Sequence, residues 1–240
     1  MGRFPGGLAD YVLASEAEAM AVPDGLSWAE AGALPTTYMV AHDMLALQGN
    51  LQPGGWLLVT GISSGVGVAA LQIARALHAH VIGTSGSRDK LARLKELGLD
   101  LGVCTRAADF QPQVMDATGG HGVNLVVNNV GGTLFAECVR CLAFEGRLAT
   151  VGYVDGVLKA EIDLQALHAR RLVLFGVSNK MTTTAQKAQA TSRFERDMLP
   201  LVANGRLRPL IDRSFTLDEL PAARAHMEAD AHVGKIVLTA

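Results

Sequence analysis

Hydrophobic and polar positions change period several times along the chain. Through residues 1–27 short apolar runs are broken by Pro5, Gly6, Gly7, Pro23 and Gly25, a pattern of strands and turns in which 9–13 is the best strand. Ser27 with Glu30 three residues on forms a capping box and predicts a helix that runs until Pro35 interferes. A second helical run, 39–47, closes at Gly49. After the turn 52–55, residues 56–60 form an unbroken apolar strand of the kind buried on both faces of a parallel sheet. Val66, Ala70, Ile73 and Leu77 then recur at helical spacing.

The alternation continues. Strands are predicted at 80–84, 101–104, 123–127, 147–151 and 172–177, and helices at 87–97, 112–117, 134–142 and 164–170, with Ser87 as an N-cap and Gly98 just past a C-terminus. Polar residues 180–192 bridge to a helical segment ending near Asn204. The chain closes with a strand at 214–216, a capping box from Thr216 to Glu219, a helix to about Asp230 and a strand at 235–238. Six strands alternating with helices specify an α/β fold, a doubly wound parallel Rossmann sheet of order 3-2-1-4-5-6. Its ligand belongs at the carboxyl ends of the strands. Residues 28–204 would form this domain, and 1–27 with 205–240 parts of a second, β-type domain.

Composition narrows the function classes. The 240 residues are 49% apolar, and 21 Lys and Arg against 23 Asp and Glu give a net charge of −2. Disorder is excluded, and no electrostatic case exists for nucleic acid or a membrane surface. No apolar stretch reaches the ~18 to 20 residues of a membrane span, and the start lacks a signal peptide's order, so a cytoplasmic protein is expected. Three cysteines suit a reducing compartment. Cys138 and Cys141 have C-x-x-C spacing but fall in a predicted helix without a second pair, and no His-Glu-x-x-His occurs, so no metal site is expected.

Candidate chemistry concentrates in the turn from Thr60 to Gly67, between strand and helix, where backbone N–H groups can approach a pyrophosphate. Ile62 and Ser64 occupy the first two glycine positions of the strict dinucleotide motif, so three readings stay open. The turn could bind nothing. Its Gly61-Ile62-Ser63-Ser64-Gly65 could be a hydrolase nucleophile elbow, with Ser63 attacking and His226 or His232 as base. Or it could hold a dinucleotide. For that third reading the end of the second strand, 83–90, offers no acid before Asp89, whereas Ser85, Ser87, Arg88 and Lys90 suit a 2′-phosphate, which predicts NADPH over NADH.

Two families resemble these residues. Thr60-Gly61, Gly65, Gly67 and Asn128-Asn129-Val130-Gly131 look like short-chain dehydrogenase/reductase signatures, but none of Tyr11, Tyr38 or Tyr153 is followed four residues later by the Lys that family uses. A fuller resemblance is to the quinone oxidoreductase, or zeta-crystallin-like, branch of the medium-chain dehydrogenase/reductase superfamily. It is carried by 7–12, 22–27, 33–35, 64–67, 83–87, 130–132, 146–148 and the closing Gly234-Lys235-Ile236-Val237-Leu238. Relatives begin with a GroES-like catalytic domain, most of which would precede residue 1.

The resemblance implies that Ser63, Ser64, Gly65 and Val66 meet the pyrophosphate; Gly86, Ser87 and Lys90, with Arg88 beside them, meet the adenosine phosphate; and Thr105 meets the adenine side. Val130, Gly152 and Tyr153 would line the inner crevice, with Val177 and Ser178 approaching the nicotinamide carboxamide. It further implies zinc-independent hydride transfer from NADPH to a quinone or α,β-unsaturated carbonyl, and a homodimer. The apolar run 172–177, expected at the sheet edge, is the predicted dimer contact. The hydroxyls of Thr37, Tyr38 and Tyr153 are candidate proton donors. The alternatives are a short-chain-type carbonyl reductase and a non-catalytic NADPH-binding protein.

Overall fold

A computed structural model describes residue 1, residues 6–9 and residues 11–239. The helix α1 (Trp28–His42) leads through a π-helical turn, Asp43–Leu47, to the first strand. There follow β1 (Trp56–Thr60), α2 (Gly65–Ala76), β2 (His80–Ser85), α3 (Arg88–Glu96), β3 (Leu101–Cys104), α4 (Gln111–Ala117) and β4 (Val123–Asn128). Next come α5 (Gly132–Cys141), β5 (Leu142–Thr150), α6 (Leu164–Ala169), β6 (Val173–Gly176), α7 (Thr184–Asp197) and α8 (Leu199–Ala203). The chain closes with β7 (Ile211–Thr216), a short 3₁₀ turn, α9 (Leu220–Glu228) and β8 (Lys235–Thr239).

Six parallel strands form one sheet in the order β3-β2-β1-β4-β5-β6, as their alternation with helices predicts. The central strands are covered on both faces. Leu57 and Val59 of β1 join Leu34, Tyr38, Leu71 and Phe194 on one side. Leu58 of the same strand joins Phe110, Val114 and Cys138 on the other. Each fully buried Leu of this kind stabilises the fold by roughly 1.5–3 kcal/mol, which explains why the strands read as apolar runs rather than alternating ones. β7 and β8 form a separate two-stranded sheet, and they are parallel because α9 crosses over between them.

Several expectations are corrected. Pro35 does not end its helix: α1 runs through it, with Leu34, Pro35, Tyr38 and Ala41 buried, so packing outweighs the one backbone hydrogen bond that proline removes. The polar stretch 180–192 is largely α7, opened by a capping box of Thr183 and Gln186. Strand β5 begins at Leu142, ahead of the expected 147, with a register irregularity against β4 between Val123 and Leu125. Of the predicted strand 9–13, Asp10 lies outside the described residues, and 11–13 is not a strand: Tyr11 and Leu13 are exposed, and among the described residues no strand pairs with them. The C-terminal strands therefore have no N-terminal partner among the described residues.

Candidate coenzyme site

The turn after β1 is shaped by what lies under it. The Ile62 side chain is fully buried and rests where a Cβ on Gly83 would stand, 2.7 Å from Ile62 Cγ2. A Cβ on Gly67 would fall 2.7 Å from both Ile62 Cα and its carbonyl carbon. These glycines let the turn seat against β2 while Gly61, at φ +62°, reverses the chain. Ser64 caps α2, its Oγ accepting from Gly67 N–H at 3.1 Å. Among the described residues the N–H groups of Ser63 and Val66 find no protein acceptor, while that of Gly65 faces the Gly234 carbonyl across an isolated parallel bridge, so two amides at a helix start are free for an anion.

A cation stands beside them. Gly234 N–H donates to Ser63 carbonyl at 3.0 Å, and this bridge brings Lys235 alongside the turn, its Cδ 2.7 Å from where a Gly65 Cβ would be. Lys235 is half-buried, forms no ion pair among the described residues, and burial pushes its ammonium below the usual lysine value. The closing Gly234-Lys235-Ile236-Val237-Leu238 motif contains this residue, but nothing in the sequence marks it as a site residue.

Asn128 ties together the ends of β1 and β4. Its Oδ1 accepts from Thr60 Oγ1, Val130 N–H and Gly131 N–H, each at 3.1 Å, and its Nδ2 donates to Gly131 carbonyl at 2.9 Å. Asp155, on the loop after β5, accepts from Thr133 N–H at 2.9 Å and from Val157 N–H at 2.9 Å. These bonds, led by the Thr133 hydroxyl, hold the Asp155 carboxyl below its ordinary value and clamp that loop to the start of α5, which has no cap of its own.

At the adenosine end Ser87 caps α3, accepting from Lys90 N–H at 3.3 Å. Lys90 is buried along its stem and its Nζ donates to Asp230 Oδ1 at 2.9 Å and to the Asp230 carbonyl. Arg106, from the loop after β3, lies over Gly86 and donates to Asp230 Oδ2 at 3.0 Å. Arg88 points to solvent. Thr105 is committed within its own loop, donating to Asp109 Oδ1 at 2.7 Å and accepting from Ala107 N–H at 3.0 Å. His232 completes the cluster; its Nδ1 is buried without a partner, and burial, then nearby Lys90, push its imidazole below 6.5. Nothing in the sequence marks Arg106 or Asp230 as site residues, and His232, a candidate base in the hydrolase reading, lies here beside the adenosine cations.

Further along the strand ends, Gly152 and Tyr153 line a cavity of about 230 Å³ with Asn128, Gly131 and Phe135. Val177 and Ser178 line another, of about 220 Å³, between α1 and α7. Val130 lies between the turn and the first cavity, its Cγ2 3.7 Å from where a Gly61 Cβ would be. Two hydroxyl candidates are removed from the crevice. Tyr38 is 1% exposed, its hydroxyl donates to Gln72 Oε1 at 2.8 Å, and burial raises its pKa far above 10; Thr37 donates to Ala33 carbonyl. Tyr153 stays open to solvent. For the hydrolase reading, no histidine reaches the Ser63 hydroxyl among the described residues, and His226 pairs instead with Asp212 at 2.8 Å. Cys138 and Cys141 are buried thiols in α5, Cys141 pushed up to about 12 chiefly by burial, and they act in packing.

Residues 65–202 match the family described as Zinc-binding dehydrogenase. The highly reducing polyketide synthase easB of Emericella nidulans is 30% identical over 221 residues, covering 91% of this chain and 9% of that protein. Quinone oxidoreductase-like protein 2 of Bos taurus is 30% identical over 238 residues, covering 97% of this chain and 66% of that protein. The solved structure of mycobacterial Rv1454c complexed with NADPH superposes with a TM-score of 0.87 at 26% identity, over 98% of this chain and 73% of that one. This chain thus spans under a tenth of the synthase and about two thirds of the oxidoreductase-like protein. With a family match across more than half its length and a six-stranded parallel sheet of the expected order, the chain belongs to the zinc-binding dehydrogenase family, in the quinone oxidoreductase branch of the medium-chain dehydrogenase/reductase superfamily.

Proposed function

We propose that the protein is an NADPH-dependent oxidoreductase that delivers hydride to a quinone or an α,β-unsaturated carbonyl. The observation that carries this is a pair of anion sites along one row of strand ends. One joins the free amides of Ser63 and Val66 to Lys235, which has no ion-pair partner among the described residues, and the other joins Lys90, Arg106 and Ser87 at the end of β2. A pyrophosphate suits the first and a 2′-phosphate the second. The fit extends to shape, since the missing side chains at Gly65 and Gly86 let Lys235 and Arg106 lie close against the backbone at the two places.

The coenzyme, when bound, supplies the hydride. The chain's own residues bind and orient. Asn128 fixes the strand ends under the crevice, Asp155 holds the loop that carries Gly152 and Tyr153, and Val177 with Ser178 would bound the nicotinamide end. With Thr37 and Tyr38 committed inside the core, Tyr153 is the hydroxyl left to give a proton to the reduced acceptor, and solvent reaches the same place. The family's name mentions zinc, but among the described residues no group of three His, Cys, Asp or Glu side chains comes together to hold a metal ion, and no step here runs through one.

We assign coenzyme binding to residues 28–204 with help from 230–235, and 1–27 with the rest of 205–240 to parts of a GroES-like second domain. The exposed edge of β6, with Val173 open to solvent, supports a homodimer. No helix among the described residues is long and apolar enough to cross a membrane, which agrees with a cytoplasmic assignment. Fluorescence titration with NADPH and NADH tests the coenzyme reading. Lys235→Ala should weaken both alike. Lys90→Ala should weaken NADPH by about 10-fold or more, the worth of a charge-assisted hydrogen bond, and NADH far less. Equal losses for Lys90→Ala would remove the 2′-phosphate assignment. Turnover with 1,4-benzoquinone separates the enzyme from a protein that only binds NADPH.

A further inference from the structure

The cations assigned to the 2′-phosphate already hold an anion. Asp230 stands at the end of α9 in the left-handed region, at φ +49°, with one carboxylate oxygen on Lys90 and the other on Arg106. Both contacts approach the point where a 2′-phosphate would sit against Ser87 and the start of α3. No other acid bonds to Lys90 or Arg106 among the described residues. His232, two residues on, sits beside them with its Nδ1 unsatisfied, so the pocket has a donor or acceptor to spare.

We infer that Asp230 is a coenzyme-specificity residue, an internal anion that neutralises Lys90 and Arg106 in the free protein and must yield them to a 2′-phosphate. This rests on the NADPH reading above. Binding NADPH is then an exchange of one anion for another, and the selectivity the two cations could give is reduced by the carboxylate they leave. NADH, which has a hydroxyl at that position, neither displaces Asp230 nor gains from its loss. The left-handed backbone at 230 is one that asparagine adopts readily. Lys90 would also keep its bond to the carbonyl of residue 230, so Asp230→Asn removes the charge and leaves the frame.

The test titrates the full chain with NADPH and NADH by fluorescence and follows thermal unfolding with and without NADPH. In Asp230→Asn the NADPH affinity should rise about fivefold, which is about 1 kcal/mol, the upper range of a solvent-reached ion pair. NADH affinity should stay within about twofold. The unliganded melting temperature should fall as two cations lose their counterion, and the NADPH-induced rise should grow. Asp230→Gly, which suits the same backbone, should behave alike and covers poor folding of the first variant. Unchanged or weaker NADPH binding overturns the inference, as does equal tightening of both coenzymes. Lys90→Ala keeps the two readings apart. If it hurts NADPH selectively while Asp230→Asn does nothing, only the role of Asp230 fails; if it hurts both coenzymes equally, the NADPH reading fails and this one with it.

Discussion

Replacing Asn128 with alanine probes how the crevice floor is held. Asn128 is fully buried at the carboxyl end of β4, paired in register with Thr60 of β1 and Thr150 of β5. Alanine removes one acceptor that serves three donors and one donor that serves the Gly131 carbonyl, four bonds between 2.9 and 3.1 Å. At about 1 kcal/mol net per bond the loss is about 4 kcal/mol, with Val130 and Gly131 amides left in a place water reaches poorly. Asn128→Asp is a harsher comparison: it keeps the oxygen that Thr60, Val130 and Gly131 address, but at neutral pH it buries a charge and turns a second oxygen toward the Gly131 carbonyl, so it should cost about 3 kcal/mol or more. Urea unfolding at neutral pH reads the difference through the midpoint, and at about 2–4 °C per kcal/mol for a chain of this size alanine should lower the melting temperature by roughly 8–16 °C. An alanine variant within about 1 kcal/mol of wild type would refute the claim that Asn128 acts through these bonds.

Two further outcomes are expected. Gly67→Ala drives a methyl into the Ile62 backbone, which cannot move without withdrawing a buried side chain, so overpacking of about 3 kcal/mol less about 1 kcal/mol of gained helix propensity should leave the fold about 2 kcal/mol weaker. Coenzyme titration should show little binding, while Gly65→Ala, which crowds the flexible Lys235 side chain and meets the Gly234 carbonyl and Thr37 methyl only at 3.4 Å, should cost the fold less; equal melting temperatures would contradict this. His42 is buried in α1 with its Nε2 3.1 Å from Asp197 Oδ2 of α7, and burial pushes its imidazole below 6.5 although the carboxylate pulls the other way. The folded protein therefore resists taking up that proton, and stability present above pH 6.5 should be lost as pH falls below it. Urea midpoints from pH 7.5 to 5.5 should decline less steeply in His42→Gln than in wild type, part of the slope remaining because burial also lowers His232; identical slopes would contradict the assignment.

The large sheet was legible because burial on both faces makes its strands apolar runs, and parallel strands separated by helices leave few topologies. The phosphate turn was legible because its neighbours Ser63 to Gly67 are contiguous. Harder to read was anything that tertiary contact decides. Pro35 signals a break, yet Leu34 and Tyr38 on either side bury enough to carry α1 past it. The helix at 184–197 hides behind polar residues, though Thr183 and Gln186 announced its start. Arg106, Asp230 and Lys235 are not legible as site residues, because the crossover from β7 through α9 to β8 delivers two of them from the far end of the chain, and the same crossover places His232 beside the adenosine cations rather than at Ser63. Thr37 and Tyr38 stand near the crevice in sequence, but side-chain direction turns both hydroxyls inward.

Within six residues the C-terminal segment supplies Asp230 to one phosphate subsite and Lys235 to the other, and the bridge from Gly234 to Ser63 stitches it to the turn between them. A dinucleotide lying there would be gripped by two sheets at once. Loading should therefore brace the small sheet against the large one, so amide protons of β7 and β8 should exchange more slowly in the occupied protein although the ligand meets these strands at Lys235 alone.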